Sequence, residues 1–327
     1  MRRKYFTITI VILITAIIAV VAMFYKATMN TEIQKKRVDF IVKSTSTSFD
    51  FWQIVMSGAQ EGAHEFSLDI KFRGPSNEEN LSEQLSLIDQ SIAENPDALI
   101  IAAIDVNAVM PYVEKAEKKG IKVLWVDSGR SDDGRCFVGT DNIAASHFLA
   151  QKMADSLGGR GKIAILSHSM NTSTAQDRLR GFKAVMDLYP DIKIVDTVDT
   201  GDSSDRTRVK AEEILHKYPD LDGFFATNAI TSIGVSSAIA KLNCSGYVKN
   251  FAFDAMIPQT EAMEKGILNG TIVQQAFNMG YLGVKMAVEK INNHHVEDAV
   301  YTGFTYVDST NLKEEQIQKQ IYPFLSK

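Results

Sequence analysis

Short apolar runs alternate with longer amphipathic segments along most of the chain, starting at Arg37. The run Ala98–Ala103 consists only of Leu, Ile and Ala, as expected of a strand that is buried on both faces. The segments between the runs repeat their apolar positions at helical spacing. This alternation predicts βα units and a parallel sheet.

The βα series runs twice through the sequence, and the second series starts near Ile143. The predicted strands are Val38–Val42, Leu68–Phe72, Ala98–Ala103, Lys122–Val126, Cys136–Gly139, Lys162–Leu166, Ile192–Val198, Gly223–Ala226, Val248–Phe253, Ile272–Ala276 and Gly303–Val307. No Pro- or Gly-rich linker separates the two series. We therefore predict an α/β protein with two Rossmann-like lobes, each a doubly wound parallel sheet, joined by crossing strands around a cleft.

The N-terminus carries an uncharged run from Tyr5 to Tyr25, preceded by Arg2, Arg3 and Lys4 and closed by Lys26. About 20 apolar residues in a helix span the hydrocarbon core of a bilayer, and a positive flank stays in the cytoplasm. The pattern predicts cytoplasmic residues 1–4, a transmembrane signal anchor at 5–25 and a stalk at 26–36. A single-pass protein of the cell membrane with an extracytoplasmic binding region follows, although cleavage near Ala22 stays an alternative.

Charge and motifs exclude several classes of function. The formal net charge of −5 argues against nucleic acid as a partner, because such proteins concentrate positive charge. The segment Gly159–Lys162 resembles a phosphate loop, but its spacing is wrong and it precedes a strand. The signatures of a nucleophile elbow, a zinc site, a redox pair or a dinucleotide fold are missing. We expect no catalytic residues, no metal and no cofactor, and therefore no enzyme.

Polar and aromatic residues follow the predicted strands, where a ligand in the cleft would lie. These residues are Phe51, Trp52, Asp127, Arg178, Asn228, Asp254 and Gln274. Aromatic faces pack against the C–H surfaces of sugars, and planar Asp, Asn, Arg and Gln groups can each meet two neighbouring hydroxyls. For each residue alone, a loop or helix cap is the better interpretation. Together at strand ends they favour a site for a neutral polyol.

The chain from about Val38 to Asp308 resembles the ribose-type periplasmic sugar-binding proteins. The resemblance rests on the order and spacing of short motifs: Phe51-Trp52, Val126-Asp127, Val138-Gly139-Thr140-Asp141-Asn142, Arg178-Leu179-Arg180-Gly181-Phe182, Ala226-Thr227-Asn228, Ala252-Phe253-Asp254 and Gly270-Thr271-Ile272-Val273-Gln274. It implies stacking by Phe51 and Trp52, hydrogen bonding by the polar residues above, and Phe253 lining the pocket. The family usually has Asp-Arg at the end of the fourth strand, whereas here Asp127 is followed by Ser128-Gly129-Arg130. Either Arg130 makes the ligand contact of the family's arginine, or that contact is lost.

The resemblance also implies the type I periplasmic-binding-protein architecture with three crossing strands. The N-terminal lobe would comprise 37–139 plus 275–304, and the C-terminal lobe 140–274 plus 305–327. Anchored relatives of this kind include xylose-binding proteins that partner a sensor histidine kinase, so we expect a monosaccharide ligand, a pentose such as xylose, and closure signalled to that kinase. The alternatives are the binding component of a sugar ABC transporter, with a permease as partner, and a receptor for an autoinducer-like furanosyl signal.

Overall fold

The structure, a computed structural model, describes residues 13–21, 23, 35–46, 50–130 and 134–322. The chain divides into two units, Met1–Lys36 and Arg37–Lys327. In the first unit residues 13–21 and 23 are helical, with exposed apolar side chains such as Leu13 and Ile17. More than half of the predicted anchor and most of the predicted stalk lie outside the described residues.

Within the part of the chain that the structure describes, no helix is long and apolar enough to cross a membrane. The anchor at 5–25 is therefore still a prediction from the sequence.

The second unit contains two six-stranded sheets. The first sheet is formed by β1 (Arg37–Ile41), β2 (Asp69–Arg73), β3 (Ala98–Ile101), β4 (Lys122–Val126), β5 (Phe137–Gly139) and β11 (Ala299–Tyr301), in the order β11-β5-β4-β3-β1-β2. Its helices are α1 (Asp50–Glu65), α2 (Leu81–Glu94), α3 (Val106–Lys118) and α9 (Ala276–Ile291). All four residues of β3 are buried, because helices cover both faces of the sheet.

The second sheet repeats this arrangement. It is formed by β6 (Arg160–Ser167), β7 (Asp191–Asp199), β8 (Gly223–Ala226), β9 (Lys249–Phe253), β10 (Gly270–Gln274) and β12 (Phe304–Val307), in the order β12-β10-β9-β8-β6-β7. Its helices are α4 (Asn142–Ser156), α5 (Ser173–Met186), α6 (Ser204–Lys217), α7 (Ala229–Lys241), α8 (Ile257–Glu264) and α10 (Glu315–Ile321). The predicted fold class, two α/β lobes with parallel sheets, is confirmed; the sole difference in the pairings described is that β12 runs antiparallel to β10.

The chain crosses between the lobes three times within the described residues. It passes from β5 into α4, from β10 into α9, and from β11 into β12. For the third crossing the sequence predicted a single strand, Gly303–Val307, and the predicted boundary of the first lobe was residue 304. Instead β11 pairs with β5, Gly303 takes a positive φ of 78°, and Phe304 pairs with Gln274 in the second sheet. The crossing therefore falls at 302–303, where glycine permits the turn.

Two helices of the first lobe approach each other closely through glycines. A Cβ atom added to Gly58 on α1 would collide with the carbonyl oxygen of Phe277, and one added to Gly280 on α9 would collide with that of Val55. Only glycine allows backbones to come so near. The close contact fixes the start of α1, where Phe51 and Trp52 lie, against the helix that begins at the second crossing.

The C-terminal tail belongs to the second lobe. Leu312, Ile317 and Ile321 are buried in the same apolar cluster as Val273 of β10. The hydroxyl of Tyr322 lies 2.6 Å from Oγ1 of Thr260. The tail up to residue 322 therefore packs on the lobe and ends beside the second crossing.

Candidate functional site

A cleft lies between the two lobes at the carboxyl ends of the parallel strands. Its empty space, including the part open to solvent, is about 760 Å³. The lining residues of this interlobe cleft are Lys43, Phe51, Trp52, Ile54, Glu78, Asp127, His168, Thr174, Arg178, Asn228, Ala229, Asp254, Ala255, Met256, Val273, Gln274, Ala276, Gln320 and Ile321. Both lobes contribute to it, so a ligand here would contact both.

Asp127 and Asp254 occupy matching positions in the two lobes. Asp127 follows β4 and Asp254 follows β9, and these strands hold the same place in their sheet orders. Both residues have a positive φ, 59° and 71°, which is uncommon and costly for a residue other than glycine. The surrounding structure holds each backbone in this conformation, which directs both carboxylates to the cleft.

Hydrogen bonds fix the carboxylate of Asp254 on two sides. Gln274 donates from Nε2 to Oδ1 over 2.7 Å, and the backbone N–H of Ala229 donates to Oδ2 over 3.1 Å. Oε1 of Gln274 in turn accepts a 2.9 Å hydrogen bond from the hydroxyl of Thr140. Thr140 follows β5 at the first crossing, and Gln274 ends β10 at the second, so the network lies at the hinge.

Arg178 is buried, with 3% of its surface exposed, and its guanidinium is held in one orientation. Its Nε donates to Oδ1 of Asn142 over 2.8 Å, and its Nη1 donates to the carbonyl of Thr227 over 2.7 Å. The guanidinium lies 4.1 Å from the ring centroid of Phe253. Burial lowers the pKa of Arg178, and the negative charge of Asp254 opposes this effect. The ring and the two acceptors orient the guanidinium before any ligand arrives.

The first lobe contributes a buried ion pair beneath an indole ring. Nζ of Lys43 lies 2.7 Å from Oδ2 of Asp127, with side-chain exposures of 3% and 4%. The same ammonium lies 5.9 Å from the ring centroid of Trp52. Nε1 of Trp52 donates to Glu78 over 2.6 Å. A buried charge is tolerated only when it is paired, so Lys43 and Asp127 depend on each other.

Burial shifts the ionisation of three groups in and beside the cleft. It raises the pKa of Glu78, against the attraction of Lys43. It also raises the pKa of Asp202 to about 7, assisted by repulsion from Glu78. His168 has a pKa well below its usual value, because it is buried and faces the positive charges of Arg178 and Lys43. His168 is therefore neutral at pH 7, with Nδ1 2.8 Å from Oγ1 of Thr227.

The structure brings together seven of the nine residues predicted for the site: Phe51, Trp52, Asp127, Arg178, Asn228, Asp254 and Gln274. Asn228 lines the cleft and also caps α7, since its Oδ1 accepts the N–H of Thr231 over 2.9 Å. The helix cap that its sequence position allowed is therefore present, and its contact with a ligand stays a prediction.

Two predicted residues lie elsewhere. Phe253 is fully buried and supports Arg178 from behind, because along β9 its ring points into the apolar core of the second lobe. Arg130 is exposed and donates from Nη2 to Oδ1 of Asn107 over 2.6 Å. It does not line the cleft, and Lys43 is the cation that pairs with Asp127 instead.

Sequence reasoning missed several cleft residues. His168 directly follows β6, and Lys43 lies two residues beyond the end of β1, so the rule of polar residues at strand ends could have found them. Glu78 lies in a loop rich in polar residues and gives no local signal. Gln320 and Ile321 come from the tail, which only tertiary packing brings to the cleft.

No three His, Cys, Asp or Glu side chains within the described ranges are grouped as a metal site would need.

The fold and the cleft together define a class: a two-lobed α/β protein that binds a small polar ligand between its lobes. The periplasmic binding protein domain model matches residues 38–295. The chain belongs to this family.

Comparisons with individual proteins support the same family. The chain is 27% identical over 278 residues to the D-ribose/D-allose-binding protein of Pseudomonas aeruginosa, covering 82% of this chain and 86% of that protein. Among solved structures it is similar to GanP, a glucose-galactose binding protein from Geobacillus stearothermophilus, with a TM-score of 0.82, 25% identity, and coverage of 86% of this chain and 99% of that one.

A further similar structure is the XylFII-LytSN complex, with a TM-score of 0.76, 25% identity, and coverage of 84% of this chain and 98% of the matched chain. The Pseudomonas aeruginosa protein and GanP are both named as binding proteins and not as enzymes.

The raised pKa of Asp202 predicts a specific pH dependence of stability. Its ordinary value is 3.8 and its value in the fold is about 7, so the folded chain binds more protons than the unfolded chain between these limits. The contribution of Asp202 to stability therefore falls as the pH rises from about 4 to about 7. We expect Asp202→Asn to remove this loss and to melt about 3 °C or more above the parent at pH 8, with no gain at pH 4.

Melting curves of both proteins from pH 4 to 8 provide the test. Asp220→Asn, an exposed carboxyl paired with Lys162, serves as the control and should show no such gain with pH. A constant difference between parent and Asp202→Asn across the range would contradict the assignment.

Proposed function

We propose that this chain is an extracytoplasmic sugar-binding protein that closes its two lobes around one monosaccharide. The observation that carries the proposal is the composition of the cleft. Trp52 and Phe51 supply aromatic faces from the first lobe. Arg178, Asn228, Asp254 and Gln274 supply oriented donors and acceptors from the second lobe. This combination suits a compact polyol, which has apolar C–H faces and hydroxyls on its edges.

The charges of the cleft favour a neutral ligand over an anionic one. Its charged lining side chains are two cations, Lys43 and Arg178, and three carboxylates, Glu78, Asp127 and Asp254. Lys43 is already paired with Asp127, and Arg178 is attracted by Asp254. A sugar phosphate or a uronate would find no uncompensated positive charge. A neutral sugar needs no uncompensated positive charge in its site.

A pentose such as xylose is the proposed ligand, and a sensor histidine kinase is the proposed partner. Support for the ligand class comes from relatives named for ribose, allose, glucose and galactose. Support for a protein partner comes from the similarity to the XylFII-LytSN complex. The alternative partner is the permease of a sugar ABC transporter, and structures of transporter solute-binding proteins with D-arabinose also resemble this chain. A furanosyl signal is the alternative ligand.

A thermal-shift screen of the full chain against pentoses, hexoses, inositols and furanosyl signals tests the sugar proposal. A ligand at a hundred times its Kd stabilises the folded state by about 2.7 kcal/mol, which corresponds to roughly 5 °C or more in Tm. We expect one monosaccharide to give such a shift. Phe51→Ala should reduce that shift by about half, because the lost aromatic contact weakens binding about tenfold.

Tyr247→Ala is the matched control, since Tyr247 is an aromatic residue of the second lobe that is 61% exposed and does not line the cleft. It should leave the ligand-induced shift unchanged. If none of these polyols raises the Tm of the parent protein, the sugar proposal is wrong.

The proposed anchor rests on the uncharged run 5–25. The full chain, expressed in a bacterial host, should sediment with the membranes and resist extraction by alkaline carbonate. A variant carrying Ile14→Lys and Ile17→Lys should be released, because charge at the centre of a span is costly. Retention of this variant, or release of the parent, would contradict anchoring and would favour the transporter component over the sensor.

A further inference from the structure

A polar contact joins the lobes outside the cleft. Glu79 lies between β2 and α2 of the first lobe, whereas in the second lobe Arg206 lies in the first turn of α6 and Asp202 in the loop just before it. Oε1 of Glu79 accepts the backbone N–H of Asp202 over 2.9 Å and also binds Nη2 of Arg206. Neither Glu79 nor Arg206 lines the interlobe cleft.

The local structure on each side prepares this contact. The N–H of Glu79 donates to Oδ1 of Asn77 over 3.0 Å, which orders the loop of the first lobe. On the other side Nε of Arg206 donates to the carbonyl of Thr200 over 2.9 Å, which directs the free end of the guanidinium towards Glu79. Both partners are therefore positioned by their own lobes and meet when the lobes are close.

Gly201 is needed for the contact. It has a φ of 59°, and a Cβ atom added there would collide with Nη2 of Arg206 and Oε1 of Glu79. The N–H of Gly201 donates to Oδ1 of Asp199 over 2.9 Å, so this turn is held in place. Any side chain at position 201 would both strain the turn and separate the two charged groups.

We propose that Glu79, Arg206 and Gly201 form a latch that holds the lobes closed and thereby sets the affinity for the ligand. The latch deepens the proposed function, because a contact made only in the closed state slows ligand release without touching the ligand. Glu79 and Arg206 are about half exposed, at 49% and 55%. An ion pair in such a position contributes modestly and is screened by salt. A three- to tenfold effect on affinity is the expected scale.

A charge-swap cycle tests the latch. Glu79→Arg and Arg206→Glu should each raise the dissociation rate of the bound monosaccharide about three- to tenfold, with the Tm of the ligand-free protein little changed. The double variant should recover part of the loss, because the opposite charges meet again. The recovery should weaken at high salt. Gly201→Ala should behave like the single variants.

The control uses Lys210 and Glu213, an exposed pair within α6 of the second lobe at 2.8 Å. Lys210→Glu and Glu213→Lys should leave the dissociation rate unchanged. Equal rates for the parent and the single latch variants, or a double variant whose effects simply add, would overturn the latch.

A measurement without ligand separates failure of the latch from failure of the sugar proposal. Small-angle X-ray scattering of the ligand-free full chain reports how far the lobes are apart. The single variants should increase the radius of gyration relative to the parent and to the Lys210→Glu control, and the double variant should reverse the increase. An unchanged radius in the single variants would overturn the latch whether or not any sugar binds.

Discussion

The three crossings between the lobes are the constraint on which the site depends. In a parallel sheet all strands end at the same edge, and the residues that follow them collect there. Because the chain passes from β5, β10 and β11 directly into the other lobe, the two edges face each other across a short hinge. Asp127 and Asp254 then come to matching positions on opposite walls. Their positive φ angles show that the fold maintains a costly backbone conformation at the cleft.

The two walls have different physical characters. The wall of the second lobe is fixed by directed hydrogen bonds. Arg178 donates to Asn142 and Thr227, and Thr140 donates to Gln274, which donates to Asp254. The wall of the first lobe offers aromatic rings over a buried ion pair. Pre-ordered polar groups reduce the entropy lost on binding. Under the proposed function, closure brings the aromatic wall onto a ligand that the polar wall has oriented, and the proposed latch through Glu79 joins the lobes outside the cleft.

The sequence allowed the architecture and seven of the residues that line the cleft to be predicted. The alternation of apolar runs located strands such as Lys122–Val126 and Gly223–Ala226 with the bounds that the structure has. Polar residues at strand ends then identified Asp127 and Asn228 without any knowledge of tertiary contacts. Periodicity is a local property, and so is the position after a strand, which is why both could be read from the chain.

What the sequence could not show depends on contacts between distant segments. The break between β11 and β12 is decided by which sheet each half pairs with. Phe253 points along β9 into the apolar core of the second lobe, where Arg178 from α5 lies over its ring. Arg130 follows Asp127 closely in sequence, yet Lys43, just beyond β1, provides the counter-charge of Asp127. The contact of Glu79 with Arg206 links residues more than a hundred positions apart. Pairing partners of buried charges require the folded arrangement.

Fluorescence of Trp52 tests most directly whether the ligand occupies the cleft between the lobes. The chain has two tryptophans; Trp52 lines the cleft, whereas Trp125 lies in β4 and does not line it. Trp125→Phe leaves Trp52 as the single reporter. A monosaccharide that raises the Tm should change its emission saturably, at the concentrations that produce the thermal shift. A sugar that stabilises the protein while leaving the emission of Trp52 unchanged would show that it binds elsewhere, which would contradict this account.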